Sequence, residues 1–567
     1  MNKTITKSIC AVMIFITFLT GCAARPASNT ASTTQQEAEA QLEKELGAFE
    51  ITAHQRELAA DNEAGYRVLD AGRGNPNWIN TQSRYAFTRF MEFALGESER
   101  VMKDESMAGH AVKDGIGHRF DEAMNPAQSA DSFLIKAVDY CVSNMGINKD
   151  DLIKEMVDGI IGDYYPSPSR CLRNTEKILN AYLESTLYHG ENLAGSTTVF
   201  PTEGGTASMV YIFDALSHNR LLNPGDKIAI ATPIFTPYLQ IPSVKDYGMV
   251  SVDVTSSAEN NWDISDDELK KLEDKSVKAF FLVNPSNPAS HALSANTISK
   301  LKTVIEKNPD LIILTDDVYG TFVDDFQTVY SAIPHNTILV YSFSKLYGVT
   351  GWRIGLIAMN KDNVMDDLLK KQPEDVKNYL RGEYSIVTDD PDNMPFAERV
   401  VADSRSIGLY HTSGLSTPSQ IYMDLLALTH LVYENDDPYI KLANNLVSER
   451  YKALMETLGL PEDDNDANAK YYTVVNIRSL CEKHYGKDFA DWLYKNLTEI
   501  DFLNALAQKK GVVLMYGPGF NAPDGTVRIS LANLNKEDYI ELAKRMFELL
   551  DEYYNEFGGK SISSPAA

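Results

Sequence analysis

The chain has 567 residues, 44 % of them hydrophobic and 10 % aromatic, with a formal charge of −26 at pH 7. That length exceeds what one simple core serves, so two domains are expected, and the composition is far from that of disordered or fibrous chains. The 79 acidic against 53 basic residues exclude a nucleic-acid binder that works by phosphate neutralisation, and an anionic small molecule must meet local arginines against the overall field.

In chain order, Lys3 and Lys7 precede an apolar run, Ile9 to Leu19, which ends in Leu19-Thr20-Gly21-Cys22. A charged start, a short apolar stretch and small residues at a cut site describe a secretory signal, and the run is too short to span a bilayer. Leu-Thr-Gly-Cys resembles a bacterial lipobox. The resemblance implies that residues 1–21 are a signal peptide, that Cys22 is lipidated, and that the exported protein is anchored to a bacterial membrane on its periplasmic or cell-surface side. Ala23 to Gln36 is rich in Ala, Ser, Thr and Pro and reads as part of a tether over 22–45. Cys141, Cys171 and Cys481 make neither a disulfide framework nor a zinc site and are expected to be mostly buried thiols.

Helical spacing follows the tether, and Leu69-Asp70-Ala71-Gly72-Arg73-Gly74-Asn75-Pro76 interrupts it with turn formers. Residues 83–185 read as largely helical. From about 195, short apolar runs alternate with amphipathic stretches: Thr197–Phe200, Lys227–Ala231, Met249–Val254, Lys278–Val283, Leu311–Thr315, Ile338–Phe343 and Gly355–Ala358. Such runs predict an α/β fold with a seven-stranded, mostly parallel sheet covered on both faces. Pro373 to Phe396 is acidic and Pro-containing and reads as an exposed insertion. Beyond Pro418 the chain turns helical, then strand-like at Tyr471–Ile477, Val512–Met515 and Thr526–Leu531, and ends in a helix. The expected domains are a large one over 186–417 and a smaller α+β one made of a helical part, 46–185, and a C-terminal part, 418–567.

The sharpest segment runs from Tyr341 to Gly355, Tyr-Ser-Phe-Ser-Lys-Leu-Tyr-Gly-Val-Thr-Gly-Trp-Arg-Ile-Gly, where a buried strand ends. A lysine there is expensive to bury unless it is deprotonated or paired, and a Schiff base resolves the problem. The preceding hydroxyls and Arg353 suit a phosphate.

Ser-Phe-Ser-Lys-x-Tyr-Gly-x-x-Gly-x-Arg-x-Gly resembles the pyridoxal-phosphate signature of class I aminotransferases. The resemblance covers roughly residues 65 to 550 and implies the aspartate-aminotransferase fold, with Lys345 as the catalytic lysine that carries the cofactor and Ser342 and Arg353 on its phosphate. Thr202-Glu203-Gly204-Gly205-Thr206 joins a strand to a helix whose N–H groups can cradle phosphate, which puts Gly204, Gly205 and Thr206 at the cofactor. By the same resemblance Phe235 stacks on the ring, and Asn287 and Tyr319 reach its phenolic oxygen. Asp316 keeps the ring nitrogen protonated. Tyr165 reaches a phosphate across a dimer interface, with Tyr164 as its rival. Arg528 clamps the substrate α-carboxylate, with Arg73 and Gly74 beside it; Arg73 is the candidate for the distal carboxylate. Asp317 is read as a helix N-cap or surface acid. Where the family continues Asn-Pro with Thr-Gly, this chain has Ala289-Ser290, so the following turn is expected to differ.

A finer resemblance, to bacterial aspartate 4-decarboxylases that also transaminate aspartate, rests on Ala71–Asn77, Glu155–Ile160, Thr315–Phe322, His411–Pro418 and Ser530–Asn535. It implies that Lys345 takes the Cα proton of L-aspartate and that the distal carboxyl leaves as carbon dioxide, giving L-alanine. It also implies other small amino and keto acids as partners, and a homodimer or larger assembly. Two readings stay open beside it: a plain aminotransferase, and a catalytically silent surface-binding lipoprotein. No metal site is expected.

Overall fold

The computed structural model describes residues 47–102, 107–243, 247–433 and 436–558. The expected signal peptide, Cys22 and the whole tether lie outside them. After a two-residue strand, β1 (Leu69–Asp70), the chain builds a seven-stranded sheet from β2 (Thr197–Thr202), β3 (Lys227–Thr232), β4 (Val250–Thr255), β5 (Val277–Val283), β6 (Ile312–Asp316), β7 (Thr337–Ser342) and β8 (Gly355–Asn360). The strand order is β2-β8-β7-β6-β5-β3-β4. Every pairing is parallel except those of β8, which runs against both its neighbours.

Each of the seven apolar runs is a strand of this one sheet. Strands β6, β7 and β8 are buried at every position, which is why they read as continuous rather than alternating runs. Strand β4, at the sheet's edge, is mostly exposed. Later in the chain come β9 (Tyr472–Asn476), β10 (Val512–Val513), β11 (Met515–Tyr516) and β12 (Thr526–Ser530). Strand β10 pairs with β1, and β11-β12-β9 form a small antiparallel sheet.

The packing divides the chain differently from the expected domains. Phe90, Leu134, Ile153 and Leu183, from four helices between 81 and 187, share one apolar cluster with Leu314, Val340 and Leu356 of the large sheet. The Thr417–Leu431 helix joins them and is buried on all sides. Those N-terminal helices therefore pack with the large sheet, whereas Leu69 and Ala71 join Val527, Ile529 and the final helix in a second core. Helical periodicity specifies an apolar face but not what that face meets.

The segment expected as an exposed insertion also differs. Residues Glu374–Tyr384 form a helix in which Leu380 and Tyr384, four apart, turn one face inward, and Phe396 is fully buried. Arg399 lies over the Tyr384 ring at 4.5 Å, and the Tyr384 hydroxyl donates to Asp403 at 2.8 Å. Cys141, Cys171 and Cys481 are buried free thiols. Among the described residues, no helix is long and apolar enough to cross a membrane.

Candidate active site

Asp316 closes β6 and Ser342 closes β7, so two parallel neighbours deliver their last residues to one edge of the sheet. Carboxyl ends of parallel strands are where open α/β sheets bind ligands. A cavity of about 270 Å³ opens there. The large sheet and its loops line it with Gly205, Thr206, Asn287, Asp316, Ser342, Lys345 and Arg353, and the small sheet contributes Tyr472 and Arg528. Phe235, Tyr319 and Gly74 complete the set that the sequence brings forward.

One end of the cavity is built for an anion. Gly204 takes φ +92° between β2 and the helix Gly205–His218, whose first N–H groups have no partner within the helix. Glycine suits the site because that φ disfavours a side chain, and a Cβ would stand 2.7 Å from Arg353 Nη2 and displace the guanidinium. Arg353 itself sits at φ +55°, a left-handed conformation uncommon outside glycine, and Nη1 donates to the Thr350 carbonyl at 2.9 Å. The Ser342 hydroxyl, bonded to the Ile354 carbonyl at 3.0 Å, stands beside that of Ser344. A helix N-terminus, a guanidinium and two hydroxyls form an oxyanion cradle.

The middle of the cavity holds a buried acid and a lysine. The Tyr238 hydroxyl donates to Asp316 Oδ2 at 2.7 Å and the Val318 N–H to Oδ1 at 3.3 Å. Burial outweighs both bonds and pushes the Asp316 carboxyl up to about 6. Lys345 Nζ donates to the Gly74 carbonyl at 3.0 Å, and the Tyr471 hydroxyl donates to the same oxygen at 2.8 Å. Phe235 meets Phe49 edge-on at 5.5 Å and Tyr238 at 5.2 Å.

At the far end, strand alternation decides which way Arg528 points. Val527 and Ile529 enter the second apolar core, so Arg528 between them faces the other way, into the cavity. It is 1 % exposed. Its partners are neutral: Asn287 Oδ1 at 3.2 Å, the Gly72 carbonyl at 2.6 Å and Met515 Sδ at 2.7 Å. The Tyr472 ring lies 4.3 Å and the Phe520 ring 4.9 Å from its guanidinium carbon. Nε has no partner among the described residues, and burial pushes this guanidinium below its usual range.

Three predicted residues stand apart from the cavity wall. Gly204 is behind it, against Arg353. The Arg73 side chain is 58 % exposed and its Nε pairs with Asp70 at 3.2 Å. Tyr165 is 79 % exposed and edge-on to His411, while Tyr164 stacks on His110. Asp317 is corrected: it is fully buried, its carboxylate accepts from the Thr315 hydroxyl, and burial pushes it up to about 8. Sequence reasoning missed Tyr238, Tyr472 and Phe49, which line the same cavity. The only signal was position, since Tyr238 lies three residues after Phe235, and Tyr472 pairs with β12 two positions along from Arg528.

Comparison with known proteins agrees with this geometry. The profile of the family "Aminotransferase class I and II" matches residues 186–382. A Pseudomonas protein, bifunctional aspartate aminotransferase and L-aspartate beta-decarboxylase, is 41 % identical over 503 residues, 88 % of this chain and 94 % of the relative. The chain belongs to the class I and II aminotransferase family. Solved structures with the same fold include a variant of Thermus thermophilus aspartate aminotransferase, at TM-score 0.56 and 17 % identity over 88 % of this chain and 96 % of that one. The Rhizobium meliloti aspartate aminotransferase also matches, at TM-score 0.56 and 18 % identity over 93 % of this chain and 99 % of that one.

Members of this family depend on pyridoxal phosphate, and the residues present fit that group. The cradle at Gly205, Ser342 and Arg353 suits its phosphate. Asp316, a buried acid whose bonds come only from a hydroxyl and an amide, suits a protonated ring nitrogen. Lys345 lies between these and Arg528, whose unpartnered Nε marks unused capacity for a carboxylate.

Proposed function

We propose that this protein uses pyridoxal phosphate to remove the 4-carboxyl group of L-aspartate as carbon dioxide, giving L-alanine, with aspartate transamination as a side activity. The observation that carries the reading is the meeting of Lys345, Asp316, Arg353 and Arg528 in one cavity, in a chain 41 % identical to a bifunctional relative over most of both lengths.

Bound here, pyridoxal phosphate supplies a conjugated electron sink beside the substrate's amino nitrogen. Arg353, Ser342, Thr206 and the Gly205 N–H hold the phosphate. Asp316 holds a proton at the ring nitrogen, and Asn287 and Tyr319 bond the ring oxygen. Phe235 covers the ring face. Arg528 grips the substrate α-carboxylate with two parallel donors, fixing orientation as well as charge. Lys345 would anchor the cofactor and, with its amine free, would take the Cα proton as general base. The Cβ–carboxyl bond would then break with its electron pair left toward Cβ, which takes a proton as carbon dioxide leaves; return of the Cα proton from Lys345 completes L-alanine.

Among the described residues, the cations lining the cavity are Lys345, Arg353 and Arg528, and each has a task already. The distal carboxylate is left with Arg73, an exposed side chain shared with Asp70. A loose grip favours the lyase, because stabilising that charge in the ground state opposes its departure.

The experiment is to give the cofactor-loaded protein L-aspartate alone and quantify alanine and carbon dioxide. Sustained equimolar release of both is expected. Product only when 2-oxoglutarate is added, as oxaloacetate and glutamate, would replace the lyase with a plain transaminase.

The reading extends to assembly and location. Aspartate aminotransferase relatives are typically oligomeric, and at least a homodimer would let the exposed Tyr165 reach the partner's cofactor phosphate; sedimentation at micromolar concentration tests it, with a monomer as the contrary result. Export and lipid anchoring at Cys22 rest on Leu19-Thr20-Gly21-Cys22. Metabolic labelling with a fatty acid in a bacterial host should mark the full chain and not Cys22→Ala.

A further inference from the structure

Tyr472 touches both of the groups that the proposed reaction keeps apart. Its hydroxyl lies 2.9 Å from that of Tyr319, and its ring lies 4.3 Å from the Arg528 guanidinium carbon. It is 2 % exposed. The site is fitted to this hydroxyl, because a Cβ at Gly74 would collide with it. Its backbone is fixed as well: the Tyr472 N–H donates to the Ser290 hydroxyl at 2.9 Å, and the Ala469 N–H to the Ser290 carbonyl at 2.8 Å. Ser290 makes these bonds from φ +67°, a conformation that favours glycine. The turn therefore accepts an unfavourable backbone state and keeps a hydroxyl there that secures β9.

We infer that Tyr472, held by Ser290, is a positioning residue that couples the ring-oxygen contact of Tyr319 to the carboxylate grip of Arg528. The inference rests on the proposed pyridoxal-phosphate function. Each phenol has one hydrogen. If Tyr319 gives its hydrogen to the cofactor's ring oxygen, the hydrogen between the two phenols belongs to Tyr472. Tyr472 then donates to Tyr319 and strengthens it as a donor in turn, as chained hydrogen bonds do. On its other side the Tyr472 ring offers its negative face to Arg528, a guanidinium that otherwise has only neutral partners. One side chain thus sets both how strongly the ring oxygen is held and where the substrate carboxylate lands.

The two contacts separate by substitution. Tyr472→Phe keeps the ring and removes the hydroxyl, whereas Tyr472→Leu removes both. Ser290→Gly relaxes the backbone and removes only the anchor, so it keeps the test open should a Tyr472 variant fold poorly. The readout is the pH titration of the bound cofactor's visible absorbance in the full chain loaded with pyridoxal phosphate. A donor at the ring oxygen favours the more negatively charged form, so a weaker donor moves the midpoint upward.

Tyr472→Phe is expected to raise the midpoint by about half a pH unit to one unit, the worth of one hydrogen bond, and to leave KM for L-aspartate nearly unchanged. Ser290→Gly should move it the same way by less. Tyr472→Leu should add a rise in KM of roughly fivefold or more, from the lost cation–π contact. In a Tyr319→Phe background the hydroxyl of Tyr472 should have no further effect on the midpoint. An unmoved midpoint in Tyr472→Phe, or a shift that persists in full without the Tyr319 hydroxyl, overturns the inference and leaves the proposed function standing. No cofactor absorbance in the unsubstituted protein overturns both.

Discussion

At the end of β6 an acid is buried with only hydroxyl and amide partners, and on β12 a base is buried with only a carbonyl, an amide oxygen and a thioether. The two sites mirror each other. Burial pushes the Asp316 carboxyl up to about 6 and the Arg528 guanidinium below its usual range. Each keeps a neutral hydrogen-bond partner that fixes its geometry, and the charges that act on them, Lys345 on Asp316 and Asp70 on Arg528, do not outweigh burial. A ligand that brings a cation to one end and an anion to the other relieves both, which is how a site commits binding energy to orientation. Asp317, next to Asp316, shows the contrast within one strand end: it is equally buried, but it does not line the cavity and no ligand reaches it.

That comparison can be broken in order of expected effect. Lys345→Ala removes the general base and the cofactor's anchor, and kcat should fall by about 10³-fold or more in a product assay. Arg528→Leu should raise KM for L-aspartate about 10²-fold, the worth of two charge-assisted bonds, while the cofactor's absorbance persists. If KM stays put, the carboxylate lies elsewhere.

Asp316→Asn separates chemistry from stability. Both Asp316 and Asp317 have folded-state values above the ordinary 3.8, at about 6 and about 8. The folded protein therefore holds their protons more tightly than the unfolded chain does. Their contribution to stability is full below about pH 4 and is lost as pH rises through about 6 and then about 8. Denaturant melts of the cofactor-free protein at pH 8 should show Asp316→Asn more stable by about 1–3 kcal/mol, even though its turnover collapses. Cofactor binding should cancel that gain, by placing a cation against the native carboxylate. The smallest effect on turnover belongs to Asp317→Asn, which should flatten the stability profile between pH 4 and 8 and change kcat/KM by less than about threefold.

Much of this is legible in the amino-acid sequence alone. The seven strands read as apolar runs because both faces of the sheet are covered, and Lys345, Asp316, Asn287 and Arg353 sit in short motifs at strand ends, where spacing along the chain is also spacing in space. Arg528 is legible through the family resemblance of Thr526–Ser530, because a surface-strand arginine would show the same local pattern. Tyr238 and Tyr472 are not, because an aromatic residue in a helix or strand looks like core until its hydroxyl partner is known. The buried state of Asp317 is hidden for the same reason, since the hydroxyls that face its carboxyl, Thr315 and Thr328, belong to ordinary strand and turn residues. The packing of residues 81–187 against the large sheet depends on which face finds which, and Leu380 and Tyr384 are masked by the acids around them.

The most direct test of the account is reductive trapping. The protein is loaded with pyridoxal phosphate, reduced with borohydride, digested and mapped by mass spectrometry. A single pyridoxyl label on Lys345, lost when L-aspartate is added in excess before reduction, is the predicted result. A label on another lysine, or none on a correctly folded protein, would contradict the placement of the chemistry at the end of β7.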